Sequence, residues 1–180
     1  MNLFDRSRVN HWASFLTGVL LILPWLEPWA PAPLPNVVPL LISWTCIGLL
    51  MASGQRLQAR DIARAWAMAA VVSSAMGLVQ YFGLADVFSP WVHVPDYLGE
   101  ARANLRQRNQ LATFTAMGIL AVLWWARNGL QRPHALWMLT LIATGNAATN
   151  SRTGLLQMLL VTVLVLGWSL THRSNQERLP

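Results

Sequence analysis

Residues Ala65–Gly83 read AWAMAAVVSSAMGLVQYFG, an apolar run without a charged side chain. At about 1.5 Å per helical residue, a run of this length matches the roughly 30 Å hydrocarbon core of a bilayer. A backbone in hydrocarbon has no water to bond to, so the run is read as a transmembrane helix. The same reading outward along the chain gives further apolar segments at about Trp12–Trp29, Val37–Ser53, Leu111–Ala126, Ala135–Ala148 and Gly154–Leu170. Pro31, Pro33 and Pro35 end the first of these. The short fifth segment passes into Gly145-Asn146-Ala147-Ala148-Thr149-Asn150, whose polar end must be buried against other helices or reach a wet cavity. The expected fold is an all-α polytopic membrane protein, a single helical domain over residues 1–180. Its longest non-apolar stretch is an external loop over about 84–110.

Composition agrees. The chain is 54% hydrophobic and 11% charged, whereas a water-wetted domain carries about 25% charged residues. All 13 basic residues are Arg, with a net charge of +6. They are scattered over short inter-helix segments and form no basic helix or stacking surface, which excludes nucleic acid as the partner. Cys46 is the only cysteine, so no intrachain disulfide forms. It sits in an apolar run as a packing residue. The four His and seven acids show no metal-ligand spacing, and neither metal nor cofactor is expected.

Arginine placement sets the direction. Arg6, Arg8, Arg56, Arg60, Arg64, Arg127, Arg132, Arg173 and Arg178 fall on one side of a six-span topology, against Arg102, Arg106, Arg108 and Arg152 on the other. The positive-inside rule then puts both termini in the cytoplasm. Trp12, Trp25, Trp29, Trp66, Trp124, Trp125, Trp137 and Trp168 lie near segment ends, as interfacial tryptophans do. The first span is read as a retained signal-anchor, because Pro31 and Pro33 surround the would-be cleavage site.

Two polar runs then share the external face. Asn104–Thr113 reads NLRQRNQLAT and Thr149–Gln157 reads TNSRTGLLQ. A helix capped near Asn104 would put Arg106, Asn109, Gln110 and Thr113 on one face at i, i+3, i+4 and i+7, with Leu105, Ala112 and Ala116 opposite. In the second run Ser151 caps a helix with Arg152 in its first turn, and Gly154 permits close helix approach. Asn146, Asn150, Thr153 and Gln157 share a face if that helix extends upstream. An Arg at a helix N-terminus opposes the macrodipole, and an anion shared by both relieves the conflict. Both runs also admit a plainer reading as interfacial arginines and a polar helix seam.

Together these segments resemble the O-antigen ligase and polymerase superfamily of bacterial inner-membrane enzymes. They resemble most its protein O-oligosaccharyltransferase branch, the protein glycosylation ligases. The matching residues are Asn104-Leu105-Arg106-Gln107-Arg108-Asn109-Gln110-Leu111-Ala112-Thr113, then Ser151-Arg152-Thr153-Gly154, with Leu78-Val79-Gln80-Tyr81-Phe82-Gly83 before the loop. The resemblance covers about residues 77–157; earlier helices match in layout only. It implies a multi-pass enzyme of the bacterial inner (cytoplasmic) membrane that moves a glycan from undecaprenyl pyrophosphate to a Ser or Thr of a periplasmic protein such as a pilin. It implies lipid-pyrophosphate binding by Arg106 and Arg152, with Asn109 and Gln110 as orienting donors. Arg108 stands where many relatives have Pro.

Family members are longer and carry, after the sixth span, a large periplasmic loop with a His that helps activate the acceptor. This sequence ends at Pro180 on the expected cytoplasmic side. The expectation is therefore an N-terminal portion that is incomplete as a catalyst: a fragment, a truncated product or one piece of a split enzyme. His93 is the only histidine on the external side, and to act as a base it must lie within hydrogen-bond reach of the acceptor hydroxyl. A surface-loop role competes for it. His11, His134 and His172 fall on the cytoplasmic side, and Asp96 and Glu100 are expected to pair with loop arginines. Two other readings stay open: a non-catalytic small membrane protein binding anionic lipid or assembling with larger subunits, and an O-antigen ligase or polymerase acting on lipid A core or glycan. A transporter is disfavoured, since no span carries a clear mid-membrane acid or a repeated broken-helix pattern.

Overall fold

The long apolar run at the centre of the sequence is also the centre of the protein. In the computed structural model helix α3 (Ala59–Tyr81) packs against α1 (Leu3–Leu26), α4 (Arg108–Arg127) and α5 (Arg132–Ala148). Helix α2 (Val37–Ala52) lies against α1, and α6 (Arg152–Gln176) against α4 and α5. The structure describes the backbone of residues 3–28, 37–53 and 57–176, with side chains within 12–170. Among these residues there is no strand; besides the helices there are short 3-10 turns at Ala85–Phe88 and Ala103–Leu105. Pro31, Pro33, Pro35, Trp29, Arg56 and Arg178 lie outside the described residues, as do the side chains of Arg6, Arg8, His11, His172 and Arg173.

Small side chains explain why α3 holds so many neighbours. Ala63, Ala67, Ala70, Ser74 and Gly77 recur every three or four residues along one stripe, and all are buried. Gly118 of α4 faces Ala70, and Gly145 of α5 faces Ser74; a Cβ at either glycine would overlap the facing atoms. Small residues at these contacts let the helix backbones approach closely. Phe114, Val122, Met138 and Ile142 fill the remaining space, and Trp25 stacks on Phe114 with ring centroids 4.4 Å apart.

Each apolar segment of the sequence is a helix, with shifted ends. Helix α3 starts at Ala59 rather than Ala65, because Ala59–Arg64 is made of helix-compatible residues and Asp61 favours the positive N-terminal end. Helix α6 runs on to Gln176. By length and composition, two described helices are able to cross a membrane: α3 and the Arg152–Leu170 part of α6. Trp12–Leu26 and Val37–Ala52 are apolar but shorter.

Candidate functional site

The site is assembled where the chain returns from the α3–α4 loop. Buried Gln80, near the end of α3, holds that return in place. Its Oε1 accepts hydrogen bonds from the backbone N–H groups of Arg102 (2.9 Å) and Ala103 (2.7 Å). Its Nε2 donates to the carbonyls of His93 (2.7 Å) and Ala103 (3.1 Å). Asn104, on the returning arm itself, does the same work. It donates to the carbonyls of Leu26 and Trp91, both at 2.8 Å, and accepts from the His93 N–H at 2.9 Å. These two amides satisfy loop backbone groups that burial would otherwise leave unpaired.

This use of Asn104 corrects the helix start read from sequence. With its side chain turned inward, Asn104 does not cap α4. The chain makes a 3-10 turn over Ala103–Leu105, passes through a left-handed residue at Arg106 (φ 59°), and enters α4 only at Arg108. Arg106 therefore leaves the face that it was expected to share with Asn109, Gln110 and Thr113. Those three line an apolar groove of about 500 Å³ with Trp25, Leu105, Phe114 and Met117. The expected continuation from Asn146 to Gln157 is likewise broken, since α5 ends at Ala148 and Asn150 turns the chain with φ 52°.

Asn146 instead faces inward, donating to the Ala112 carbonyl (2.9 Å) and to Thr115 Oγ1 (2.7 Å). Ser151 caps α6 as its sequence implied: Oγ accepts from the Gly154 N–H at 3.2 Å. The same hydroxyl donates to Asn109 Oδ1 at 2.9 Å, and Gln157 Nε2 donates to Thr113 Oγ1 at 3.0 Å. Gly154 makes this fit possible, because a Cβ there would stand 2.8 Å from that of Ala112.

The result is a corner where the first turns of α4 and α6 are tied together. Each carries an arginine, Arg108 and Arg152, and neither carries an acid. The N-cap residue of α4, Gln107, makes no side-chain cap bond. Two positive helix ends and two guanidiniums thus border one groove of about 510 Å³, lined by Arg108, Asn109, Asn150, Arg152 and Thr153. A neighbouring groove of about 370 Å³ is lined by Glu100, Arg102, Arg106, Gln107, Arg108 and Asn109. Arg108 and Asn109 border both. Arg106 Nη2 donates to the Pro28 carbonyl at 3.0 Å, while its buried Nε has no partner among the described residues.

Glu100 is the acid paired with two of these arginines. Its Oε2 accepts from Arg102 at 2.8 Å, and its Oε1 lies 3.2 Å from Arg108. The hydrogen bond from Arg102 holds its carboxyl below the usual carboxylate range, with the charges of Arg102 and Arg108 adding to it against partial burial. The expected pairing of a loop acid with loop arginines is thus met by Glu100. His93, fixed through its backbone by Gln80 and Asn104, has its imidazole pushed below 6.5 first by burial and then by the charge of Arg106, with Asp96 opposing. A neutral imidazole results near pH 7. Among the described residues no three His, Cys, Asp or Glu side chains converge on a common point.

Sequence reasoning missed the clamps. Gln80 sat in plain view inside an apolar stretch, where a buried amide must find partners, but which partners depended on the loop's path. The bond from Ser151 to Asn109 was equally invisible, and for Glu100 the kind of partner was legible but not which two arginines.

Compared with known proteins, residues 101–126 match the family model described as protein glycosylation ligase. The match runs from the loop's return through the arginine-bearing turn and most of α4. No curated protein and no solved structure matches the chain. The likeness to a ligase of protein glycosylation therefore concerns one short segment, which contains Arg106, Arg108, Asn109 and Gln110, and it points to glycan transfer in general terms.

Proposed function

We propose that this chain carries the donor-binding site of a membrane glycosyltransferase, holding a glycan-bearing undecaprenyl pyrophosphate for transfer to a periplasmic protein Ser or Thr. One observation carries the reading: two helix N-termini tied by Ser151 and Asn109 present Arg108 and Arg152, with no acid in either first turn, to a single groove. Breaking a glycosyl–pyrophosphate bond builds negative charge on the leaving group, and fixed guanidiniums and helix N–H groups stabilise it. Arg106 reaches the phosphates from the adjoining groove, while Asn109 and Gln110 orient them. The apolar groove beginning at Asn109 and Gln110 and floored by Trp25 and Phe114 suits the prenyl chain. The short family match lies on the same segment.

The topology proposed with it has six spans and cytoplasmic termini in the bacterial inner membrane. Arg64 over Trp125 (5.4 Å) and Arg127 over Trp168 (5.8 Å) support a common interfacial level at the end opposite the arginine corner. Reporter fusions after Glu100 and Ser151 are expected to read as periplasmic, and fusions after Arg60 and Arg132 as cytoplasmic. A cytoplasmic signal after Glu100 would face the groove away from the donor and end the proposal.

Binding of undecaprenyl pyrophosphate to the chain in nanodiscs tests the site itself. Arg106→Lys and Arg152→Lys are each expected to weaken it about tenfold, because a point ammonium cannot reproduce a bidentate fork. Arg127→Gln, at the far end, leaves it unchanged. Equal small losses at all three positions would reduce the site to diffuse attraction. The second reading, a non-catalytic protein that binds anionic lipid or assembles with larger subunits, is favoured by the bareness of α6, of whose apolar stretch 6% is buried. It predicts that phosphatidylglycerol competes as well as pyrophosphate does.

A further inference from the structure

We infer that Glu100 is an internal counter-ion that competes with the phosphates of the bound ligand for the Arg108 guanidinium, and so limits how tightly the groove holds its anion. The inference rests on the pyrophosphate reading above and adds a residue that opposes binding.

The geometry gives the two arms of Glu100 unequal roles. The bond to Arg102 is short, 2.8 Å, and the Arg102 side chain is 25% exposed; the contact to Arg108 is 3.2 Å, and Arg108 is 52% exposed. Exposed ion pairs contribute little, since water and side-chain entropy offset the attraction. Arg108 is therefore the exchangeable partner and Arg102 the fixed one. Arg108 also borders both the groove that contains Glu100 and the groove that contains Arg152. Its guanidinium has two alternatives within reach of one side chain: the Glu100 carboxylate, or an anion seated against Arg152 and the first turns of α4 and α6. Occupying the groove transfers Arg108 from the carboxylate to the phosphate, and emptying it returns Arg108 to Glu100. A carboxylate waiting for the arginine speeds release of the spent carrier, which a turning-over enzyme needs as much as capture. Arg102 keeps the carboxylate from following Arg108.

The test measures dissociation constants and off-rates for inorganic pyrophosphate and for undecaprenyl pyrophosphate in zwitterionic nanodiscs. Glu100→Gln is expected to tighten binding of both about two- to fivefold, mostly through slower release, the range set by the strength of an exposed pair. Glu100→Asp, too short to serve both arginines, is expected to tighten it less, and it carries the test if Glu100→Gln does not fold. The gain should vanish in Glu100→Gln/Arg108→Gln compared with Arg108→Gln alone. A gain that persists without Arg108 would mean simple removal of a negative charge and would overturn the exchange. Unchanged or weaker binding in both Glu100 variants, with Arg152→Lys still weakened, would overturn it while leaving the pyrophosphate site standing. A gain confined to the lipid probe would put Glu100 against glycan or chain and overturn it as well. Absence of binding by every form would sink the pyrophosphate reading and this inference together.

Discussion

Two groups of polar side chains lie within a few turns of each other, and they spend their hydrogen bonds in opposite ways. Gln80, Asn104 and Asn146 are buried, and each is bonded to backbone or side-chain groups inside the fold. Arg108 and Arg152 are exposed on a groove, and Arg106, whose Nε has no partner among the described residues, lines the next. The first group builds the corner; the second is held open by it. Sequence position does not separate the two, since Asn104 and Arg106 are two positions apart in one run, and the first is bonded inside the fold while the second lines a groove. What separates them is whether the backbone around them has other partners.

The comparison breaks most readily at Gln80. Gln80→Leu leaves the loop groups at His93, Arg102 and Ala103 without their partner, and buried unsatisfied groups cost about 1–3 kcal/mol each. A loss above about 3 kcal/mol is expected in detergent unfolding followed by tryptophan fluorescence. A loss below about 1 kcal/mol would show that water replaces the clamp and that the two groups do not differ as described.

Gly154→Val is the next in size and tests the tie between the groups. The added side chain meets Ala112 and Asn146 Oδ1, which predicts a destabilisation of about 1–3 kcal/mol by overpacking. It also pushes the first turn of α6 from that of α4, so pyrophosphate affinity should fall along with stability. A stability loss with affinity intact would mean that Arg152 acts without the paired helix ends.

On the open side, Arg152→Lys should leave the melting temperature almost where it was, a change within about 0.5 kcal/mol, while weakening pyrophosphate binding as given above. A large stability loss there would move Arg152 into the structural group.

Acidity gives the smallest effect and separates two loop groups. His93 binds a proton more weakly in the folded chain than in the unfolded one. Its stabilising contribution is complete above its ordinary 6.5 and declines as pH falls through and below that value. Glu100, whose carboxyl is depressed below 4.5, contributes above that value and loses its contribution as pH falls towards its folded pKa. Melting curves between pH 7.5 and pH 3, roughly spanning both ranges, should lose their upper limb in His93→Gln and their lower limb in Glu100→Gln. A profile unchanged by His93→Gln would show that burial does not suppress its protonation.

Apolar periods and lengths determined where the helices lie, because a run such as Ala65–Gly83 has no alternative that satisfies its backbone away from water. Local chemistry also determined the Ser151 cap, since its partner is the Gly154 N–H one turn on, whereas the tight fit at Gly154 depends on Ala112 and Asn146 of other helices. The start of α4 was not legible. Asn104 is as good an N-cap as any, and only the arrival of Leu26, Trp91 and His93 around it turned its amide inward and moved the helix start to Arg108. Nor did the sequence separate Arg106 from the face of Asn109 and Gln110, because a left-handed turn at an arginine carries no local signature. Long-range hydrogen bonds made those decisions: an amide side chain gains about the same from a cap as from a loop carbonyl, and only the folded chain determines which of them is within reach.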